Sequence, residues 1–320
     1  MRTRVVVTLL AVALAVAGCG GSVAPVSVSV SPVEPSPSGA TEVMTAPTAG
    51  NLECDREASL RPGPLPSAGA MTPGSTMAAI AERGRLIAGV DQSTDLFGSR
   101  NPATGELEGF DIDIAREIAR AIFGDPNRIQ LRVVNAKERE SVLQSGEVDV
   151  VVRTYSITCE RKQFVDFSTV YYYADQKILS AKGSGIDSAA ALEGKRVCAV
   201  SGTTSLSKLM GFNPRPQVFS ATTWTDCLVM LQQGQVDAIS TDDSVLKGLA
   251  AQDPTMAVSG ESIAKEPYGI GINKNHEDMV RFVNGVLEQI RDDGTWQRLY
   301  DAWLEKLGPS PGPPAARYQG

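Results

Sequence analysis

Histidine is almost missing from this chain: there is one, His276, in 320 residues, with five cysteines. A zinc site needs Cys, His or carboxylate ligands at close and recognisable spacing. The cysteines match no such pattern, and His276, in an Asn- and Glu-rich turn, completes none. No metal and no cofactor is implied. A surplus of positive charge is missing too. Thirty Lys and Arg stand against 37 Asp and Glu, a formal charge of −7, and an acidic balance argues against nucleic acid as a partner. Beyond the N-terminus no uncharged run approaches the ~20 apolar residues that span a bilayer.

What is present begins at the N-terminus. Arg2 and Arg4 precede the apolar run Val5–Val16, and Val16-Ala17-Gly18-Cys19 follows. A basic n-region, a short h-region and small residues before a cut read as a secretory signal peptide over 1–18. The cysteine after Val-Ala-Gly resembles a bacterial lipobox, which implies a diacylglyceride thioether on Cys19 and attachment to the outer face of the cytoplasmic membrane through lipid alone. Residues 19–50, rich in Ser, Pro, Val and Thr and free of aromatic residues, read as a flexible tether. Residues 51–75, Pro- and Gly-rich with Leu52, Cys54 and Leu60, read as an irregular segment lying on the folded body. The last twelve positions, 309–320, read as a disordered tail.

Between them, helical and strand patterns alternate. Helices are expected at Thr76–Arg83, Phe110–Phe123 and Glu138–Ser145, and strands at Leu86–Val90, Ile129–Val134 and Val148–Val152. The grammar then restarts, with strand Arg196–Val200, a helix opened by Ser201-Gly202-Thr203-Thr204, helix Trp224–Gln233 and strand Val236–Ser240. Glu147-Val148-Asp149 and Gln235-Val236-Asp237 both follow a helix-ending glycine. This echo, roughly ninety residues apart, is too long for a solenoid and suggests two similar lobes. Alternating elements mean an α/β fold with a mainly parallel sheet flanked by helices in each lobe.

Gly109-Phe110-Asp111-Ile112-Asp113, Gly146-Glu147-Val148-Asp149, Ser156-Ile157-Thr158-Cys159-Glu160-Arg161, Val165-Asp166-Phe167-Ser168, Ser201-Gly202-Thr203-Thr204-Ser205, Asp242 and Gly294-Thr295-Trp296 occur in an order that resembles the polar-amino-acid family of bacterial periplasmic solute-binding proteins. The resemblance covers about Met77 to Leu307. It implies the type II periplasmic-binding-protein fold, with lobe one at 76–171 and 268–308 and lobe two at 172–267. Two hinge strands are then expected near Tyr171–Asp175 and Ala264–Tyr268. It further implies a ligand site of Asp91, Thr154, Ser156, Arg161, Thr203, Thr204 and Asp242, and, in members that bind acidic amino acids, Arg139.

The chemistry of those residues agrees. A zwitterion needs its carboxylate neutralised and its ammonium given acceptors, because unpaired buried charge is costly. Arg161 offers a planar fork for the α-carboxylate; Asp242 offers a carboxylate for the ammonium. Thr203 and Thr204 open a helix, whose free N–H groups attract an anion. Arg139 adds a second cation and points to glutamate or aspartate, with a glutamine-preferring binder as the alternative. Asp111 and Asp113 are expected to serve the start of their helix, not catalysis. An enzyme on the same fold, a dehydratase or lytic enzyme, is the remote reading, since no acid or base stands opposite Arg161. A membrane permease of an ABC transporter and a membrane sensor are the two partners expected. An even number of further cysteines in an exported chain favours disulfides. Cys198, on the first strand of lobe two, is expected to meet Cys227 on that lobe's second helix, which leaves Cys54 with Cys159.

Overall fold

The computed structural model describes residues 35–45 and 52–319; the expected signal peptide and the expected lipidation site, Cys19, lie outside them. Two sheets organise these residues. One has five strands, in the order Ile129–Val133, Leu86–Val90, Val150–Val151, Gly271–Asn273 and Val165–Phe167. The other has six, in the order Thr41–Glu42, Gln217–Ala221, Arg196–Val200, Ala238–Asp242, Tyr172–Ala181 and Met256–Tyr268. In each, three strands joined through helices run parallel, and the strands that arrive from elsewhere in the chain pair antiparallel. The sheets are therefore mixed. A helix crossover favours parallel neighbours, whereas a strand returning from the other lobe carries no such constraint.

Each sheet has its own apolar core. Ile112, Ala115, Ile118, Ala119 and Ile122 of helix Phe110–Phe123 are buried against Leu86, Ala88 and Val90 of lobe one. Val197, Ala199, Leu228, Leu231 and Ile239 fill lobe two. Tyr172–Ala181 and Met256–Tyr268 run side by side, from Tyr172 opposite Tyr268 to Ala181 opposite Met256, with a register shift between Ser259 and Ala264. Their Tyr172 and Tyr268 ends belong to the core of lobe one and their other ends to the sheet of lobe two. These are the two connections between the lobes that the expected hinges require. A small sheet of Ser93–Thr94, Gly98–Arg100 and Leu107–Glu108, which the sequence pattern did not suggest, sits on lobe one.

Disulfides join Cys198 to Cys227, with Cα atoms 5.6 Å apart, and Cys54 to Cys159, 5.8 Å apart. The segment before lobe one is irregular and packs on it as expected, with Leu60, Leu65 and Met71 against its core and Asn284 donating to Ser59 and Leu60. Two stretches differ from expectation. Thr41–Glu42, inside the region read as a tether, forms the edge strand beside Ser220 and Phe219. The segment read as a disordered tail returns to the body: Tyr318 bridges to Ser59 and donates to Glu288 at 2.6 Å, and Arg317 pairs with Asp55 at 2.9 Å. Composition describes what a segment can bury by itself, and here existing surfaces supply the partners. Among the described residues no helix is long and apolar enough to cross a membrane.

Candidate functional site

Both lobes converge on a small cavity of ≈ 20 Å³, lined by Arg139, Arg153, Thr154, Ser156, Arg161, Thr203, Thr204, Ser205, Trp224, Thr241, Asp242 and Val245. Seven of the eight residues expected to touch a ligand line it. Asp91 does not. Its carboxylate faces Arg153 at 3.0 Å and accepts from the Gln92 and Ser93 amides and the Ser93 and Thr94 hydroxyls, which makes it a turn residue and an anchor for Arg153.

Three guanidiniums enter from lobe one. Arg139 is 2% exposed and forms no salt bridge with any described residue. Its Nε donates to the Ala136 carbonyl at 2.8 Å, its Nη2 to the Gly202 carbonyl of lobe two at 2.9 Å, and its guanidinium lies 4.1 Å from the centre of the Tyr155 ring. Burial, then the neighbouring Arg161, pushes its pKa down to about 9. Arg161 lies over the same ring, donates to the Ser156 and Gly202 carbonyls at 2.6 and 3.0 Å, and stands 3.5 Å from Glu140. One backbone carbonyl of lobe two thus accepts from both arginines of lobe one.

Gly202 is fitted to that role. Its φ is +77°, in the left-handed region that glycine adopts freely, and a Cβ there would stand 2.6 Å from the Lys137 Cα across the cleft. Next to it Thr203 caps the helix Thr204–Met210, accepting from the Leu206 amide. The Thr204 hydroxyl donates to Glu266 on the crossing strand at 2.9 Å.

Asp242 ends the strand Ala238–Asp242. Its Oδ2 accepts from the Tyr268 hydroxyl, while its Oδ1 is buried with no partner among the described residues. Burial, followed by the charge of Glu266, holds this carboxyl well above the usual range. A buried oxygen without a partner is an acceptor that a cationic donor would satisfy, and such a donor favours the ionised carboxylate.

Sequence reasoning missed Arg153, Ser205, Trp224, Thr241, Val245 and the role of Asp111. Asp111 does not cap its helix; Gly109 holds that position. The Asp111 carboxylate instead turns inward, accepting from the Thr154 amide at 2.7 Å and the Tyr171 hydroxyl at 2.8 Å. An arginine directly after Val150-Val151-Val152 was the available signal for Arg153: a cation at the end of a buried apolar run needs a reason. Asp113 binds Arg116 and the Trp303 indole and stays outside the site.

Comparison with known proteins agrees with this architecture. Residues 86–306 match the model of the bacterial extracellular solute-binding proteins, family 3. The chain belongs to this family. It is 38% identical over 232 residues to an ABC-transporter glutamine-binding protein of Bacillus subtilis, covering 72% of this chain and 85% of that one. A glutamate-binding protein of Corynebacterium glutamicum is 32% identical, with 76% and 85% covered. The solved solute receptor for L-cysteine of Neisseria gonorrhoeae superposes with a TM-score of 0.72 at 26% identity, over 75% of this chain and all of that one. This family member is an extracytoplasmic binding protein and not an enzyme, with the type II two-lobe fold.

Proposed function

We propose that the protein captures glutamate or aspartate between its lobes and presents it to the membrane permease of an ABC transporter, held at the membrane by lipid on Cys19. The observation that carries the acidic choice is Arg139: a fully buried guanidinium with no carboxylate partner among the described residues. Arg153 has Asp91 and Arg161 stands 3.5 Å from Glu140, whereas Arg139 donates only to backbone carbonyls and is the cation a side-chain carboxylate would complete. Arg161 takes the α-carboxylate with Thr154 and Ser156 beside it, Asp242 Oδ1 takes the ammonium, and Thr203 and Thr204 close over the ligand from lobe two. Relatives named for glutamine and for glutamate support an amino acid of this size, and the ABC-transporter name of the glutamine-binding relative supports the permease as partner.

Calorimetry with glutamate, aspartate, glutamine and asparagine tests the reading. Removing one partner of a buried ion pair costs about 3–5 kcal/mol, or roughly two to four powers of ten in affinity. Arg139→Ala should impose that loss on the two acids and spare the amides, whereas Arg161→Ala should weaken all four. An equal loss across the four ligands for Arg139→Ala would leave glutamine as the favoured ligand.

A further inference from the structure

We propose that Arg153 is a second residue selecting the ligand's side chain, its Nε–H holding one oxygen of the distal carboxylate while Arg139 holds the other. This rests on the acidic reading above and extends it to a residue outside the matched ligand set.

The first support is how Arg153 reaches the cavity. The strand Val150–Val151 ends before them, and Arg153 and Thr154 lie in the bend that follows. Both line the cavity, and Thr154 adopts φ 38°, a left-handed value uncommon for a non-glycine residue. Asp111 sustains that turn by accepting the Thr154 amide. Backbone strain of this kind persists where its surroundings over-determine it, and here it falls directly beside the cation that lines the site.

The second support is that the guanidinium is fixed. Asp91 holds Nη2 at 3.0 Å and is itself held by four donors of the Asp91–Thr94 turn. A ligand oxygen that meets Arg153 therefore meets a group with little freedom left to lose. The third support is an unpaired donor. Arg153 is 3% exposed, lines the cavity, and its Nε has no hydrogen-bond partner among the described residues. Native structures seldom leave a buried donor unpaired, and a carboxylate oxygen in the cavity would complete it. Arg153 also lies close enough to Arg139 to help depress its pKa, so one anion between them relieves both.

The alternative is that Arg153 only braces Asp91. Titration of Arg153→Gln and of the double variant Asp91→Asn/Arg153→Gln with glutamate and glutamine separates the two roles; the double variant leaves no orphan Asp91 charge. Far-ultraviolet circular dichroism confirms that each is folded. Both variants should bind glutamate roughly 30-fold more weakly and glutamine within about threefold of wild type, a selectivity loss in line with removal of one charged contact. Losses equal for both ligands, or no loss in the double variant, overturn the proposal. A wild type that prefers glutamine overturns the acidic reading itself and is seen before any variant is made. If Arg139→Ala abolishes the preference while Arg153→Gln leaves it intact, the acidic reading stands and Arg153 is a brace.

Discussion

At the scale of single residues the site is a set of charges whose partners are incomplete, and pH should expose them. Burial, then the charge of Glu266, holds the Asp242 carboxyl well above the usual carboxylate range. A ligand ammonium at Oδ1 favours the ionised form, so binding should release a proton wherever the free carboxyl is still protonated. Affinity should then rise with pH until the free carboxyl is fully ionised. Calorimetry in buffers of different ionisation enthalpy should show that release in wild type and none in Asp242→Asn. Asp111 carries the second signature. Burial raises its pKa to about 7, against hydrogen bonds from Tyr171 and Thr154 that lower it, with Asp91 raising it and Arg153 lowering it. A raised folded-state pKa gives stability that is complete below the unfolded value near 4 and is lost as pH rises through about 7. Wild type should therefore lose stability relative to Asp111→Asn between about pH 4 and 7, by at most about 4 kcal/mol. Denaturant melts of both proteins across that range check it; parallel curves would show that Asp111 titrates normally.

At the scale of elements, the alternation of helices and strands was legible because its apolar periods are strong. Strand Leu86–Val90, helices Thr76–Arg83 and Phe110–Phe123, and strand Arg196–Val200 lie where their patterns place them. Val236 illustrates the limit. Its apolar run marks a strand, but the ladder begins at Ala238 and reaches Asp242, since pairing partners set the ends and lie far away in sequence. The edge strand Thr41–Glu42 and the returning tail were illegible for the same reason. The site divides similarly: polar residues within motifs could be read, but the bend at Arg153 and Thr154, with its φ of 38°, is revealed by no composition. Gly202 shows how much one turn decides. A methyl group there would strain a φ of +77° and collide with the Lys137 backbone of the opposite lobe. Gly202→Ala should leave each lobe folded, at a cost of roughly 1 kcal/mol for the backbone, yet keep the lobes from meeting. Ligand affinity should fall by about tenfold or more, since the closed form is the one that binds. Calorimetry checks this, and affinity within twofold of wild type would show that Gly202 and Lys137 do not meet in the bound protein.

At the scale of the molecule the question is what drives the two lobes together. Arg161 belongs to lobe one and Asp242 to lobe two, so one zwitterion satisfies both only across a shut cleft. The closed form also has contacts of its own: Arg139 and Arg161 donate to the Gly202 carbonyl, and Lys247 donates to the Leu307 carbonyl at 2.6 Å. These contacts explain how a closed arrangement exists, but they are neutral acceptors for charged donors and leave Asp242 Oδ1 and Arg153 Nε unpaired. A ligand adds its carboxylates and ammonium to the closed form alone, and that differential affinity shifts the population. The crossing strands Tyr172–Ala181 and Met256–Tyr268, with their register shift between Ser259 and Ala264, are the two connections about which the lobes are expected to turn. Small-angle scattering should therefore show a smaller radius of gyration at saturating glutamate than without ligand. Asp242→Asn, which keeps the hold of Arg161 but weakens that of lobe two, should bind more weakly and need more glutamate for the same change. Scattering curves that superimpose with and without ligand would mean that the cleft is already shut in solution, and that glutamate enters without the lobes moving.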